Sequence, residues 1–300
     1  MRIVVTGTAG QVAESLIERG MALGHVVIPI GRPHLDLARD DAAAMRALLA
    51  EAAPEAIVSA AAYTAVDRAE SEPELAHAVN ATGAGELAAA AQDLGVPLVH
   101  LSTDYVFSGE GHRAWREDDP CAPKGVYGAS KLAGEAAVLA ACPNSAVLRT
   151  AWVYSPFGAN FVKTMLRLAE SRDELGVVAD QIGNPTSALD IADGIFAVAA
   201  QLIASPDPAL RGLFHMAGTG ETSWAGLAEA VFAGSAARGG PAARVKAIAT
   251  ADYPTPAARP ANSRLDCTKI ARLHGVRLPA WQDSLDRVIG RLVGPEKDTA

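Results

Sequence analysis

The chain predicts a doubly wound parallel α/β sheet carrying a smaller lobe toward its C-terminus. Two observations lead there. A short apolar strand at the start of the chain runs through a glycine turn into a helix, and strand-like runs then alternate with alanine-rich helical stretches as far as residue 150. In order, residues 2–6 are an apolar, β-branched run ending at Gly7, and helical spacing follows to about Leu23. Gly7 permits the tight turn, Gly10 lets a pyrophosphate approach the backbone at the helix N-terminus, and a small residue at Ala13 allows close packing of helix on strand. Further strands are predicted at His25–Ile30, Ala56–Ala60, Val96–Leu101 and Ala146–Thr150, and helices near residues 40–53, 72–94 and 127–141. This is the rhythm of a Rossmann-type nucleotide-binding sheet.

Beyond Trp152 the rhythm loosens. Asn160–Ser171 and Ser187–Ala204 have helical spacing and Gly176–Ala179 reads as a short strand, while Gly239-Gly240-Pro241, Tyr253-Pro254-Thr255-Pro256 and Arg259-Pro260 are loop signals. The expected organisation is an NAD(P)-binding domain over 1–150, a substrate-binding lobe over 151–293 with no clean linker, and a frayed tail at 294–300.

Composition narrows the function classes. Three hundred residues, half of them hydrophobic, can bury a sizeable core. A net charge of −8 leaves no footprint for a polyanion, so nucleic acid is not an expected partner. No stretch approaches a membrane span and no basic, then apolar leader precedes the first strand, which makes the cytoplasm the default location. Cys121, Cys142 and Cys267 are odd in number and widely spaced, against both a disulfide framework and a zinc knuckle. The seven histidines show no metal-like pairing and each is expected to be structural or solvated.

The chemistry lies in Tyr127-Gly128-Ala129-Ser130-Lys131. On a helix, residues four apart share a face, so the Lys131 ammonium can sit beside the Tyr127 hydroxyl and pull its pKa from about 10 toward neutrality, making an acid-base catalyst. Ser102-Thr103-Asp104 follows the fourth apolar run, at the strand ends where open parallel sheets bind ligands. A hydroxyl of Ser102 or Thr103 there can hold a substrate carbonyl near Tyr127. After the second strand, where an acid would hold the ribose hydroxyls of NAD, the chain has Ile30-Gly31-Arg32. An arginine fork pairs instead with a 2′-phosphate, so NADPH is the expected cofactor, with NADH possible.

Taken together, Gly7-x-x-Gly10, Ser102-Thr103-Asp104 and Tyr127-x-x-x-Lys131 resemble the extended short-chain dehydrogenase/reductase superfamily. More narrowly, Ala60–Pro73, Ser102-Thr-Asp-Tyr-Val-Phe107, Val126-Tyr-Gly-Ala-Ser-Lys-Leu-Ala-Gly-Glu135, Arg149-Thr-Ala-Trp-Val-Tyr154, Asn160–Ala169, Asp180-Gln-Ile-Gly-Asn-Pro-Thr186 and Arg259-Pro-Ala-Asn-Ser-Arg-Leu265 resemble the dTDP-4-dehydrorhamnose reductase family. The resemblance implies reduction of the C4 ketone of dTDP-4-dehydro-L-rhamnose. It assigns Gly10, Gln11 and Val12 to the cofactor pyrophosphate, Asp36 and Leu37 to the adenine end, and Ala62, Tyr63 and Thr64 to the opposite flank. Ser102, Tyr127 and Lys131 complete the cofactor contacts. Thr103 and Asp104 contact the sugar, Thr103 also tunes proton transfer, and Trp152 closes the pocket, with Arg259, Asn262 and Ser263 as further pocket residues.

Other readings are a reductase of a different nucleotide-linked 4-keto-6-deoxyhexose, a sugar-nucleotide 4,6-dehydratase, and a non-catalytic regulatory subunit. The dehydratases resembled place a Thr-Asp-Glu set after the fourth strand, and here Tyr105 stands at the glutamate position. An intact Tyr127/Lys131 pair with Thr103 speaks against a silent subunit. Some members of the resembled family dimerise through a magnesium ion held by glutamates. Ser15 and Leu189 stand at two of those places, with Glu14 and Asp190 one residue off, a rotation of about 100° on a helix. No bound metal, and a monomer or weak homodimer, are therefore expected.

Overall fold

The computed structural model describes residues 1–295. Its centre is a six-stranded, wholly parallel sheet in the order Gly212–His215, Ser145–Thr150, Leu98–Thr103, Ala56–Ser59, Arg2–Thr6, Val26–Ile30. Side chains alternate across each strand, and both faces are covered, which is why the strands are apolar almost without interruption. Ile3 and Val5 face one layer, formed by helices Gln11–Ala22 and Ala188–Ala204. Val4 faces the other, formed by Ala42–Glu51, Gly83–Leu94 and Val126–Ala141. The chain reverses direction across the sheet between Arg2–Thr6 and Ala56–Ser59, opening a crevice beyond the carboxyl ends of those strands.

A second lobe has its own core. Val162, Met165 and Leu166 of helix Phe161–Ala169 pack with Leu227, Val231 and Phe232 of Trp224–Ala237 and with Leu285, Val288 and Ile289 of Trp281–Val293. A parallel strand pair, Glu174–Val178 and Arg244–Ile248, borders it. The lobes interleave, so position 150 is not a boundary in space. The chain returns to the first sheet with helix Ala188–Ala204 and contributes Gly212–His215 as the sixth strand, which periodicity alone does not separate from a loop.

Two predicted elements change in ways that matter for the site. The helix expected over 72–94 is broken into Pro73–His77, a π-turn at Ala78–Thr82 and Gly83–Leu94. The fourth strand runs two residues further than expected, to Thr103, which puts Ser102 and Thr103 on opposite faces of an ordered strand. The predicted tail, 294–300, lies largely outside the described residues. Among those residues no helix is long and apolar enough to cross a membrane.

Candidate active site

The glycine turn forms one wall of the crevice. Gly7 has φ +96°, a conformation that side chains resist, and its N–H donates to the carbonyl of Ile30 at 2.8 Å, fastening the turn to the second strand. Gly10 caps the helix Gln11–Ala22 without a side-chain bond, and a Cβ built there would meet nothing within 4 Å. The first-turn N–H groups therefore stand uncapped beside open backbone, which fits a pyrophosphate. Ala13 is buried against Ile3 and Val5, as close helix-strand packing requires. Gln11 turns its side chain the other way: its Oε1 accepts from Ser155 and Asn160, both at 3.0 Å, tying the turn to the second lobe, so contact with a ligand falls to its backbone and that of Val12.

Opposite lies the loop carrying Ala62, Tyr63 and Thr64. The N–H groups of Ala60 and Ala61 both donate to Thr6 Oγ1 at 3.0 Å. Asn80, in the π-turn, holds Tyr63 at both ends: Oδ1 accepts from its N–H at 2.8 Å and Nδ2 donates to its carbonyl and to Ser130 Oγ, each at 3.0 Å. The break in the predicted helix thus pins the cofactor loop to the helix Val126–Ala141. Arg32 is exposed at the end of the second strand and makes no ion pair among the described residues. Asp36 is turned into its own loop, accepting from the N–H of Ala38 at 3.0 Å, and Leu37 is buried. This donor set fits a dinucleotide whose phosphates lie over Gly10 and whose adenine end lies toward Arg32.

Thr103, Asp104 and Tyr127 meet at the end of the fourth strand. The Tyr127 hydroxyl faces Thr103, which eases its pKa downward, and Thr103 Oγ1 donates to Asp104 Oδ1 at 3.1 Å and accepts from the N–H of Tyr105 at 3.2 Å. Gly128 allows this approach, because a Cβ there would overlap the carbonyl of Tyr105. Poor solvation holds the Tyr127 phenol above its ordinary range, and the Asp104 carboxylate adds to the rise. Asp104 is itself 3% exposed, one of its oxygens has no partner, and burial raises it to about 6 against the pull of Ser263 and Thr103.

One expectation is corrected here. Lys131 does not depress Tyr127. It is 3% exposed, donates to the carbonyl of Leu101 at 2.6 Å and lies 3.3 Å from His100 Nε2, with its own pKa lowered by burial to about 8. A shared helical face brings the stems together, but the flexible lysine goes to the strand carbonyl behind it. Ser102 sends its side chain toward the helix Val126–Ala141, on the opposite strand face from Thr103. Its Oγ donates to Glu135 at 2.5 Å, and Glu135 forms a buried ion pair with Arg149 at 2.6 Å.

The second lobe closes the far side. Trp152 has φ +49° and stacks on Trp224 at 3.6 Å, with its ring against Gly183. It is half-buried and packs beside the second core, and its left-handed backbone marks a residue held in place by its surroundings. Arg259 pairs with Asp67 at 2.6 Å and lies beside Tyr105, whose ring meets Tyr127 edge-on. Asn262 stands at the base of this side. It is 3% exposed, its Nδ2 donates to the carbonyl of Arg113 at 2.8 Å and its Oδ1 accepts from Arg264 Nε at 2.8 Å, so it fastens the loop after Phe107. Asp190, one residue from a position where the resembled family has a metal ligand, pairs with Arg287 at 2.8 Å and bonds Ser284. Among the described residues no group of three or more His, Cys, Asp or Glu could hold a metal ion.

Asn80, Glu135, Arg149 and His100 were not singled out from sequence for this site. Their only sequence signal is polarity inside otherwise apolar runs, which does not name a partner.

Residues 1–293 match the family model described as the RmlD substrate binding domain. The dTDP-4-dehydrorhamnose reductase of Sinorhizobium fredii is 50% identical over 299 residues, 99% of this chain and 100% of that protein. The crystal structure of a dTDP-4-dehydrorhamnose reductase from Clostridium acetobutylicum superposes with a TM-score of 0.89 at 35% identity, covering 97% of this chain and 99% of that one. The Bacillus anthracis enzyme, solved in complex with NADP, gives 0.87 at 36% identity, again covering 97% and 99%. This chain belongs to the dTDP-4-dehydrorhamnose reductase family.

Proposed function

We propose that this protein uses NADPH to reduce the C4 ketone of dTDP-4-dehydro-L-rhamnose, yielding dTDP-L-rhamnose. The observation that carries the reading is the cluster of Tyr127, Thr103 and Asp104 at the end of the fourth strand, beyond the same strand ends as the open Gly10 turn. The relatives' names and the NADP complex supply the substrate and the cofactor.

Bound NADPH supplies hydride to C4. The chain's residues do the rest. Tyr127, kept protonated by its poorly solvated surroundings, hands its proton to O4 as charge develops there, and Thr103 orients the phenol. Asp104 stands where it can hold a sugar hydroxyl. The buried Lys131 ammonium stands one helical turn from Tyr127 and, with one N–H on Leu101 and one toward His100, keeps a third for a ribose hydroxyl. Arg32 would pair with the 2′-phosphate, and Trp152 and Arg259, held by Trp224 and Asp67, would help wall the substrate from water. The three cysteines are free, which suits a reducing cytoplasm. With Asp190 already paired to Arg287 and Ser15 standing at a glutamate position of the resembled family, a monomer or weak homodimer is the assembly we favour.

The test is NADPH oxidation with a panel of nucleotide-linked 4-keto-6-deoxyhexoses, the product identified by NMR. Fastest turnover with dTDP-4-dehydro-L-rhamnose supports the reading. A faster alternative sugar overturns the substrate, and no oxidation with any member overturns the reductase.

A further inference from the structure

We propose that His100 is the positioning residue of Lys131, and that the Ser59–His100 pair sets the direction in which the lysine ammonium is presented. Ser59 and His100 stand side by side in neighbouring parallel strands. His100 Nδ1 lies 2.9 Å from Ser59 Oγ, and Nε2 lies 3.3 Å from Lys131 Nζ. The ring is 1% exposed. An ammonium is only a donor, so the ring nitrogen facing it must accept, and the ring's one proton then sits on Nδ1 and donates to Ser59. Burial and the neighbouring Lys131 both hold His100 well below its ordinary pKa, which keeps it in that neutral form.

The count of donors gives the arrangement its purpose. Lys131 has three N–H groups. One goes to the carbonyl of Leu101 at 2.6 Å and one points to His100, which leaves a single N–H for a ligand. Without His100 the ammonium keeps one fixed bond and can rotate about it. Ser59 also ends the strand that leads into Ala60 and Ala61, whose N–H groups are fixed by Thr6. The same short segment thus carries the cofactor loop and the support of the lysine.

This inference rests on the reductase reading, and substitutions separate the two. A glutamine amide reaches about where Nε2 stands and can turn its oxygen to Lys131, whereas an asparagine amide stops about where Nδ1 stands and can meet only Ser59. His100→Leu is expected to lower kcat by roughly 10- to 100-fold, the worth of a hydrogen bond to a charged group. His100→Gln should return to within roughly threefold of wild type, by the tolerance expected of a retained bond, and His100→Asn should stay near the leucine variant. The pH profile adds a readout that plain packing does not move. Of the groups facing Lys131, Glu135 on the same helix supports its charge and is itself held by Arg149 and Ser102, while Tyr127 lies a turn earlier with Asp104 and Tyr105 against it. Loss of the acceptor should therefore move the alkaline limb of kcat/KM to lower pH in the leucine and asparagine variants, and much less in the glutamine variant.

Equal activities of the glutamine and asparagine variants, or a leucine variant at wild-type rate, overturn the proposal while wild-type turnover keeps the reductase reading intact. If ring substitutions prevent folding, Ser59→Ala, which removes one atom, serves. It frees the ring to place a proton on Nε2 against the ammonium, and kcat is expected to fall several-fold, on the order of one neutral hydrogen bond. An unchanged kcat and pH profile in that variant likewise overturns the proposal.

Discussion

Replacing Tyr127 by phenylalanine separates chemistry from structure. The hydroxyl faces Thr103, and Thr103 keeps its bonds to Asp104 at 3.1 Å and from the N–H of Tyr105 at 3.2 Å, so the substitution deprives no further buried group of its partner. The ring keeps its edge contact with Tyr105, 5.5 Å between centroids. Loss of one neutral hydrogen bond is worth about 1 kcal/mol, a fall in Tm of roughly 2–4 °C. Loss of a general acid costs roughly 10²- to 10⁴-fold in rate, on the order of 3–5 kcal/mol at the transition state. The expected signature is thus a folded protein that binds NADPH with nearly unchanged affinity, measured by nucleotide fluorescence, and has almost no turnover. Retention of more than half of wild-type kcat, with Tm and NADPH affinity intact, would show that another group delivers the proton.

Arg32→Ala should raise KM for NADPH roughly 10- to 100-fold, as for a lost charged hydrogen bond, and leave NADH unaffected; parallel losses with both cofactors would remove Arg32 from the phosphate. Asp104, raised to about 6 from 3.8, stabilises the fold when protonated, so its contribution is complete below pH 4 and disappears as pH rises through about 6. Asp104→Asn should accordingly gain stability relative to wild type between pH 4 and pH 7, by up to about 3 kcal/mol. Denaturation curves at the two pH values with the same difference would contradict the buried carboxyl. Glu135→Ala leaves the Arg149 guanidinium buried and unpaired, a cost of about 3–5 kcal/mol, whereas Glu135→Leu with Arg149→Met should recover most of it. If the double variant is no more stable than the single one in urea titration, the ion pair is not the cause.

What the sequence by itself determined is what depends on near neighbours along the chain. Short continuous apolar runs located the first five strands, glycine spacing located the turn of Gly7 and Gly10, and the four-residue step put Tyr127 and Lys131 on one helical face. Each follows from backbone geometry repeating over a few residues. The tertiary structure decided where polar side chains point and what they meet. Ser102 faces Glu135, Lys131 reaches Leu101 and His100, Asn262 holds the loop after Phe107, and Gly212–His215 joins the sheet far from its sequence neighbours. The physical reason is that a buried donor or acceptor must find a partner, and the partner is supplied by whichever element packs against it, often a hundred residues away. Asn80 shows the contrast most directly. Its place in an alanine-rich run reads as helix, and only the packing of that run against Tyr63 and Ser130 converts it into the pin between cofactor loop and catalytic helix.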